Sequence, residues 1–225
     1  MPPQLQPLGD QAVMAYFPAE AEALSFARTL AASAEDWLLE VVPAYASVAV
    51  FYDLASIDYA GAAVRLEQVA WSNSAHKTQP GPLHIIPCCY ELGLDNARVA
   101  QHTGLSPARI IELHAGAIYT VYALGFCPGF PYLGYLPAEL VSVPRLDTPR
   151  LRLEKGSVGL TGRQTGIYTE ARPGGWNIIG RTPLTLVNVA DGYFPLRAGD
   201  HVRFRPISEH DFRQLEGKRL EDYDS

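Results

Sequence analysis

The sequence predicts an α+β chain in two parts: a small unit of ferredoxin-like, split β-α-β order over residues 1–82, and a mainly-β barrel or sandwich over residues 83–225. Three observations carry that prediction. In the first third, short β-rich runs and two amphipathic helical patterns follow one another as β-α-β-β-α-β, the order of a split βαβ unit. In the remainder, short β-rich runs are separated by turn residues, as in a closed barrel or sandwich. Finally, residues 124–183 hold 10 of the 19 glycines and 7 of the 18 prolines. Glycine permits positive φ and close backbone approach, and proline fixes φ, so this stretch is expected to be loop-rich.

The elements follow in order. Residues 11–17 (QAVMAYF) read as a strand, and Pro18 opens a helix to about Ala32 with Ala23, Leu24, Ala27, Leu30 and Ala31 on one face. Residues 37–42 and 47–52 are β-rich around Pro43-Ala44-Tyr45-Ala46, a hairpin. Over 57–71, Tyr59, Ala63, Leu66 and Ala70 recur at helical spacing. Residues 72–82 form a polar linker ending in Pro-Gly-Pro, and 83–88 (LHIIPC) supply the sixth element, a strand. Asp95 or Asn96 caps a helix ending at Gly104; Ser106 caps another, with Pro107 first and Ile110, Ile111 and Leu113 inward. Strands are expected at 118–126, 184–189 and 201–205, with a turn at Asp191-Gly192. A last helix begins with the capping box Ser208/Asp211 and ends near Gly217.

Composition excludes several classes. Of the 225 residues, 48% are hydrophobic and 19% charged, a globular balance rather than a disordered one. A net charge of -6 gives no electrostatic reason to expect nucleic acid or an anionic membrane as partner. The spacing of Ala100, Gly104 and Ile110 imitates a helix-turn-helix, but the second helix opens with Ser106, Pro107, Ala108 and Arg109 where a DNA reader carries basic and amide groups, so a packed helical hairpin is expected. No apolar run reaches the ~18 residues of a membrane span, and the start MPPQLQPLGD lacks a secretion signal's basic and apolar regions. Three cysteines, two of them adjacent (Cys88, Cys89), make no disulfide framework, and the expected compartment is the cytoplasm.

The chemistry-bearing motifs are defined partly by elimination. GxxxxGK[ST] and GxGxxG are both absent, so an ATP cradle, if one is used, is expected mainly on another chain. The six histidines form no HxH or HxxxH pair and there is no CxxC, so no metal site is expected. Cys127 and Ser157 have no evident base, and no GxSxG elbow exists. What remains is a polar constellation. Gln164 and Thr165, between Gly162 and Gly166, either hydrogen-bond an amide, lactam or carboxylate or satisfy a turn. Arg181 either forks onto a carboxylate or phosphate or pairs with Glu170 or Asp191. Gly162, Gly166, Tyr168, Trp176 and Arg163 are candidate substrate-site residues; Phe126, Pro128, Phe130, Tyr132 and Tyr135 are candidates for a partner interface. His114, ending a helix, reads as structural.

These same residues carry a resemblance. GFCPGFPYLGYLP, TPR, GSVGLTGRQTGIY and PGGWNIIGRTPL resemble the KipI / allophanate hydrolase subunit 1 family, over almost the full length from PLGDQAV to LRAGDHVRFRPI. Gly125, Phe126, Pro128, Gly129, Phe130, Tyr132 and Leu133 match its GFxPGFxYL block. Gly156–Gly159 with Gln164–Tyr168 match GSVGxxGxQTGIY, and Pro173–Trp176 with Gly180–Thr182 match PGGWxxxGRT. Cys127, Lys155 and Arg163 depart toward larger or charged side chains, which puts substrate or partner choice in doubt. The resemblance implies a cyclophilin-like barrel after the α+β domain. It also implies a role as a PxpB-like subunit of ATP-dependent 5-oxoprolinase, a hydrolase inactive alone and opening 5-oxoproline to glutamate. The partners it implies are a KipA / allophanate hydrolase subunit 2-type protein (PxpC-like) and a LamB/YcsF-type subunit (PxpA-like). Its other branches imply a histidine-kinase inhibitor or a urea carboxylase-related subunit. On this reading Gln164 and Thr165 bind the amide, Arg181 holds an anion, and Tyr168 lines the site.

Overall fold

A computed structural model describes residues 3–73, 81–141 and 143–223, with the side chains of 71–73 left undescribed; most of the predicted linker lies outside the described residues. The chain divides into two compact units, residues 1–80 and 81–225.

The first unit runs β1 (Gln4–Pro7), β2 (Ala12–Tyr16), α1 (Glu20–Ala32), β3 (Leu38–Ala44), β4 (Ser47–Tyr52) and α2 (Tyr59–Asn73). Its four strands form an antiparallel sheet in the order β1-β2-β4-β3. Because β4 lies between β2 and β3, α1 makes the split crossover that the periodicity predicts. Strict alternation buries Val48, Val50 and Tyr52 against Phe26, Ala27 and Leu30 of α1 and Ala62 and Leu66 of α2. Phe26 takes the inward place expected of Ala31, which is exposed. Pro43 falls inside β3 rather than in the turn, tolerated because β3 is an edge strand; Tyr45 (φ +55) makes the turn instead.

The sixth predicted element does not complete this sheet. Residues 83–88 belong to the second unit, and the edge beside β2 is taken by β1, from the N-terminal stretch. A β-rich run states that it is a strand without stating its partner, and here the partner lies at residues 201–206.

The second unit runs β5 (Leu83–Cys88), α3 (Asn96–Thr103), α4 (Pro107–Gly116), β6 (Tyr119–Leu124), β7 (Pro131–Gly134), β8 (Arg150–Leu153), β9 (Ser157–Thr161), β10 (Gln164–Ile167), β11 (Arg172–Gly174), β12 (Asn177–Arg181), β13 (His201–Pro206) and α5 (Glu209–Leu215). Seven strands form one mixed sheet, β12-β9-β10-β7-β6-β13-β5, with only β5 and β13 parallel. Its two edges meet where the Cys89 N–H donates to the Arg181 carbonyl (2.8 Å) and the Arg181 N–H to that of Cys89 (3.0 Å), making a nearly closed barrel. Ile86, Val121, Leu133, Leu160, Ile167 and Phe204 fill the interior. β8 and β11 form a separate two-stranded ribbon.

Local signals decide the helix ends. Ser106 Oγ accepts from the Arg109 N–H, Gly104 closes α3 at φ +70, and Ser208 with Asp211 forms the expected capping box. One expectation fails: residues 184–189 are not a strand, Leu184 and Leu186 being buried by packing, with only isolated bridges at Thr185 and Asn188. The Gly/Pro-rich stretch is loop-rich, its loops joining the short strands β7 to β12, which all lie within it. Some of its glycines sit inside strands, where their lack of a side chain lets another group pack onto the backbone.

Candidate functional site

Alternation along β10 sends Thr165 into the barrel and Gly166 to the outer face. Gly166 pairs with Tyr132 of β7 on one side and Gly159 of β9 on the other, and Gly159 pairs with Ile178 of β12. The two adjacent glycines leave a bare strip of backbone between Tyr132 and Ile178, and the rings of Phe130 and Trp176 lie on it. A Cβ on Gly166 would stand 2.9 Å from the Pro131 carbonyl oxygen and 3.0 Å from both Phe130 Cζ and Trp176 Cζ3, closer than packed atoms tolerate.

Over this floor opens a cleft of about 320 Å³ walled by Phe126, Phe130, Tyr132, Tyr168 and Trp176, with Arg145 at its lining. Phe130 is the hub, meeting Tyr132, Tyr168 and Trp176 edge-on at centroid distances of 5.0, 5.2 and 5.5 Å. Phe126 holds φ +66, a left-handed conformation rare for a bulky residue, and leaves its ring 61% exposed beside Phe130 and Tyr168. A strained, exposed aromatic at a cleft is a mark of recognition rather than of core packing. Burial raises the Tyr132 and Tyr168 hydroxyls above the usual range, at Tyr168 against the lowering effect of a hydrogen bond from the Trp176 backbone, so both remain neutral. Arg145 is exposed and has no hydrogen bond or ion pair among the described residues.

The loop that carries Arg145 is tied down at several points. The Leu146 N–H donates to the Gly175 carbonyl (2.8 Å) and Asn177 Nδ2 to that of Pro144 (2.8 Å). At its far end Arg150 forks onto Asp95 at 2.7 and 2.9 Å. Asp95, only 5% exposed, also accepts the Ile178 N–H (2.7 Å), so its carboxylate serves this junction and does not cap α3.

The predicted trio is not brought together. Thr165 is fully buried: its hydroxyl donates to the Gly159 carbonyl (2.9 Å) and accepts from His114 Nε2 (2.9 Å), whose Nδ1 meets the Tyr90 hydroxyl (2.7 Å). Every polar atom in that chain is spent inside the barrel, so Thr165 has nothing to offer an amide. His114 is no exposed helix-end cation; burial holds it neutral, its pKa lowered to about 3. Gln164, half-buried, lies outside the cleft's walls. Arg163 follows Gly162 (φ +56) in the β9–β10 turn and lies over Tyr135, 4.1 Å from its ring centre. Arg181 pairs with neither Glu170, which holds Arg172, nor Asp191, which holds Arg219; its Nε donates to the Lys155 carbonyl (2.8 Å).

Of the residues expected at the substrate site, Tyr168 and Trp176 line the cleft, Gly166 lies beneath the rings of Phe130 and Trp176, and Gly162 sits in the β9–β10 turn. Phe126, Phe130 and Tyr132, expected at a partner interface, are its walls as well. Pro128 is exposed beside them, its carbonyl accepting from Thr169, whereas Tyr135 stacks on Tyr122 away from it. Sequence reasoning missed Arg145, which sits in the spacer between motifs and is singled out only by the tied loop. Among the described residues no group of three His, Cys, Asp or Glu side chains could hold a metal, and no helix is long and apolar enough to cross a membrane.

Comparison with known proteins decides the family. The model of the carboxyltransferase domain, subdomain C and D, matches residues 3–193. The 5-oxoprolinase B subunit of Bacillus subtilis (strain 168) is 35% identical, the match covering 93% of this chain and 95% of the relative. The chain belongs to the carboxyltransferase subdomain C and D family, on the branch of the 5-oxoprolinase B subunits. The crystal structure of TTHA0988 superposes with a TM-score of 0.76 at 33% identity, covering 88% of this chain but 40% of the longer one. The urea amidolyase of K. lactis, 17% identical with a TM-score of 0.72, shares the fold; 98% of this chain matches 15% of that one.

Proposed function

We propose that this chain is a subunit of an ATP-dependent 5-oxoprolinase, a hetero-oligomeric hydrolase of the cytoplasm that opens 5-oxoproline to L-glutamate. One observation carries the reading: an aromatic cleft with, among the described residues, a single unpaired guanidinium at its lining, in a chain of the 5-oxoprolinase B family. 5-Oxoproline is a small flat ring bearing one carboxylate. Edge-on aromatic walls suit the ring, and Arg145 suits the carboxylate through a forked, charge-assisted pair. The barrel is taken to be cyclophilin-like, as its near-closed mixed sheet suggests.

A lactam resists water because resonance weakens its carbonyl as an electrophile. Transfer of the γ-phosphoryl group of ATP to the lactam oxygen makes that oxygen a leaving group. Water then adds at carbon and the C–N bond opens to leave a γ-glutamyl phosphate, which a second water hydrolyses, leaving glutamate, ADP and phosphate. ATP does not fit this chain alone: a lone Arg145 in an aromatic cleft matches no triphosphate, so its cradle is assigned to the PxpC-like or PxpA-like partner. This chain would hold the ring and keep bulk water off it. Gln164, on the outer face of β10, is retained as an amide-binding group completed by a partner, and Arg181 as an anion-holding group.

The test is ATP-dependent conversion of 5-oxoproline by the chain co-purified with both partners. Arg145→Ala is expected to raise KM about tenfold with kcat nearly unchanged, the mark of lost ground-state binding. Recovery of a histidine kinase in place of the partners, with no turnover, overturns the reading.

A further inference from the structure

A second concavity, of about 120 Å³, lies in the barrel unit and shares no lining residue with the aromatic cleft. Lys155 and Arg181 both line it, together with Thr182, Thr185, Phe212 and Glu216. The two cations are held in place. Arg181 donates from Nε to the Lys155 carbonyl (2.8 Å), its guanidinium 5.3 Å from the Phe212 ring centre, and Lys155 Nζ donates to Thr185 Oγ1 (3.2 Å). Arg181 is thereby oriented with its terminal amino groups unpartnered among the described residues, and Lys155 keeps two of its three donors unused.

Neither cation has a carboxylate within ion-pair distance among the described residues, although the chain carries 24 acids against 18 bases. Two half-buried, unneutralised cations converging on one small hollow repel each other and are only partly hydrated, and both costs are relieved by an anion. The volume is well below the ~300 Å³ at which sites for drug-sized ligands begin, so the ligand is a small oxyanion or the end of a larger one. Glu216 is the one acid on the lining, at an exposed position. It repels a fully ionised anion but accepts a hydrogen bond from a protonated oxygen, which phosphate retains near neutral pH and sulfate does not.

We infer that Lys155 and Arg181, with Thr185 and Glu216, form a phosphate-binding site separate from the aromatic cleft. The inference stands on the second hollow alone and does not depend on what the cleft binds.

Equilibrium dialysis of the full chain against inorganic phosphate at low ionic strength tests it. One saturable site is expected, with affinity for sulfate lower. Lys155→Gln is expected to weaken phosphate binding about tenfold and Lys155→Arg to retain it. Lys155 is half-exposed and, among the described residues, its side chain bonds only to Thr185, so both variants are expected to fold; a circular dichroism spectrum matching wild type verifies this. Absence of saturable binding, equal binding by Lys155→Gln, or sulfate bound as tightly as phosphate overturns the assignment.

Discussion

The two faces of β10 differ as sharply as any two parts of the molecule. Inward, Thr165 closes a chain of hydrogen bonds through His114 to Tyr90, all buried and all satisfied. Outward, one residue further on, Gly166 offers bare backbone to two aromatic rings that border an open cleft. The first arrangement fixes which strand and helix faces meet; the second leaves shape and the Arg145 guanidinium, unpaired among the described residues, for a ligand. Adjacency in a motif is therefore no measure of adjacency in a site, because strand alternation places neighbours on opposite sides of the sheet.

The largest expected effect breaks the inward face. His114→Ala removes a buried ring and takes one hydrogen-bond partner from each of the Tyr90 and Thr165 hydroxyls, and is expected to cost about 4 kcal/mol of unfolding free energy in urea titration. Acid sharpens the same point. The folded His114 titrates at about 3, below its ordinary 6.5. Its contribution is complete above 6.5 and is lost as pH falls toward 3, because the unfolded chain takes up the proton first. Wild type should lose about 1.4 kcal/mol per pH unit in that window through this residue, and the variant should lack that component. Equal acid slopes would place the His114 imidazole in contact with water.

A smaller effect is expected on the outward face. Gly166→Ala places a methyl group 2.9 Å from the Pro131 carbonyl oxygen and 3.0 Å from Phe130 and Trp176. Overpacking of this kind costs about 1–3 kcal/mol. Unlike the inward change, it should also displace the rings, seen as altered Trp176 fluorescence against the parent spectrum. A thermal midpoint and spectrum both unchanged would mean that the rings do not rest on the glycine strip.

How legible this was depends on the range of the signal. Ser106-Pro107, Gly104 and the Ser208/Asp211 box act within a turn of helix, so the sequence declares them. The membership of 83–88 in the barrel depends on residues 201–206, and no local pattern contains that pairing. The aromatic walls were legible as a group but not as a cleft, since a ring that packs on a neighbour and a ring that lines a cleft share one residue type. Thr165 was misread because glycines flank the Gln164-Thr165 pair and hide the alternation that apolar residues would have displayed. Arg145 carried no signal at all: it stands in the spacer, and only the folded ties at Leu146, Asn177 and Arg150 give it a place.

Those ties supply the smallest prediction, and the one that connects the two faces. Asp95 stands at the start of α3, yet its carboxylate reaches Arg150 and the Ile178 N–H, joining the barrel wall to the loop that carries Arg145. Asp95→Asn keeps the side chain's shape and an acceptor for Ile178 while removing the charge and one of the two acceptors Arg150 uses. Arg150 is about a third exposed, so water compensates much of the loss and global stability should fall by only about 1 kcal/mol. The local effect should exceed the global one. The Leu146 amide, bonded to the Gly175 carbonyl, is expected to exchange with solvent about tenfold faster, while amides of β9 and β10 keep their protection. Faster exchange throughout the barrel would make Asp95 a general stabiliser; no change at Leu146 would free the Arg145 loop from this anchor, leaving Asn177 and Gly175 to hold it.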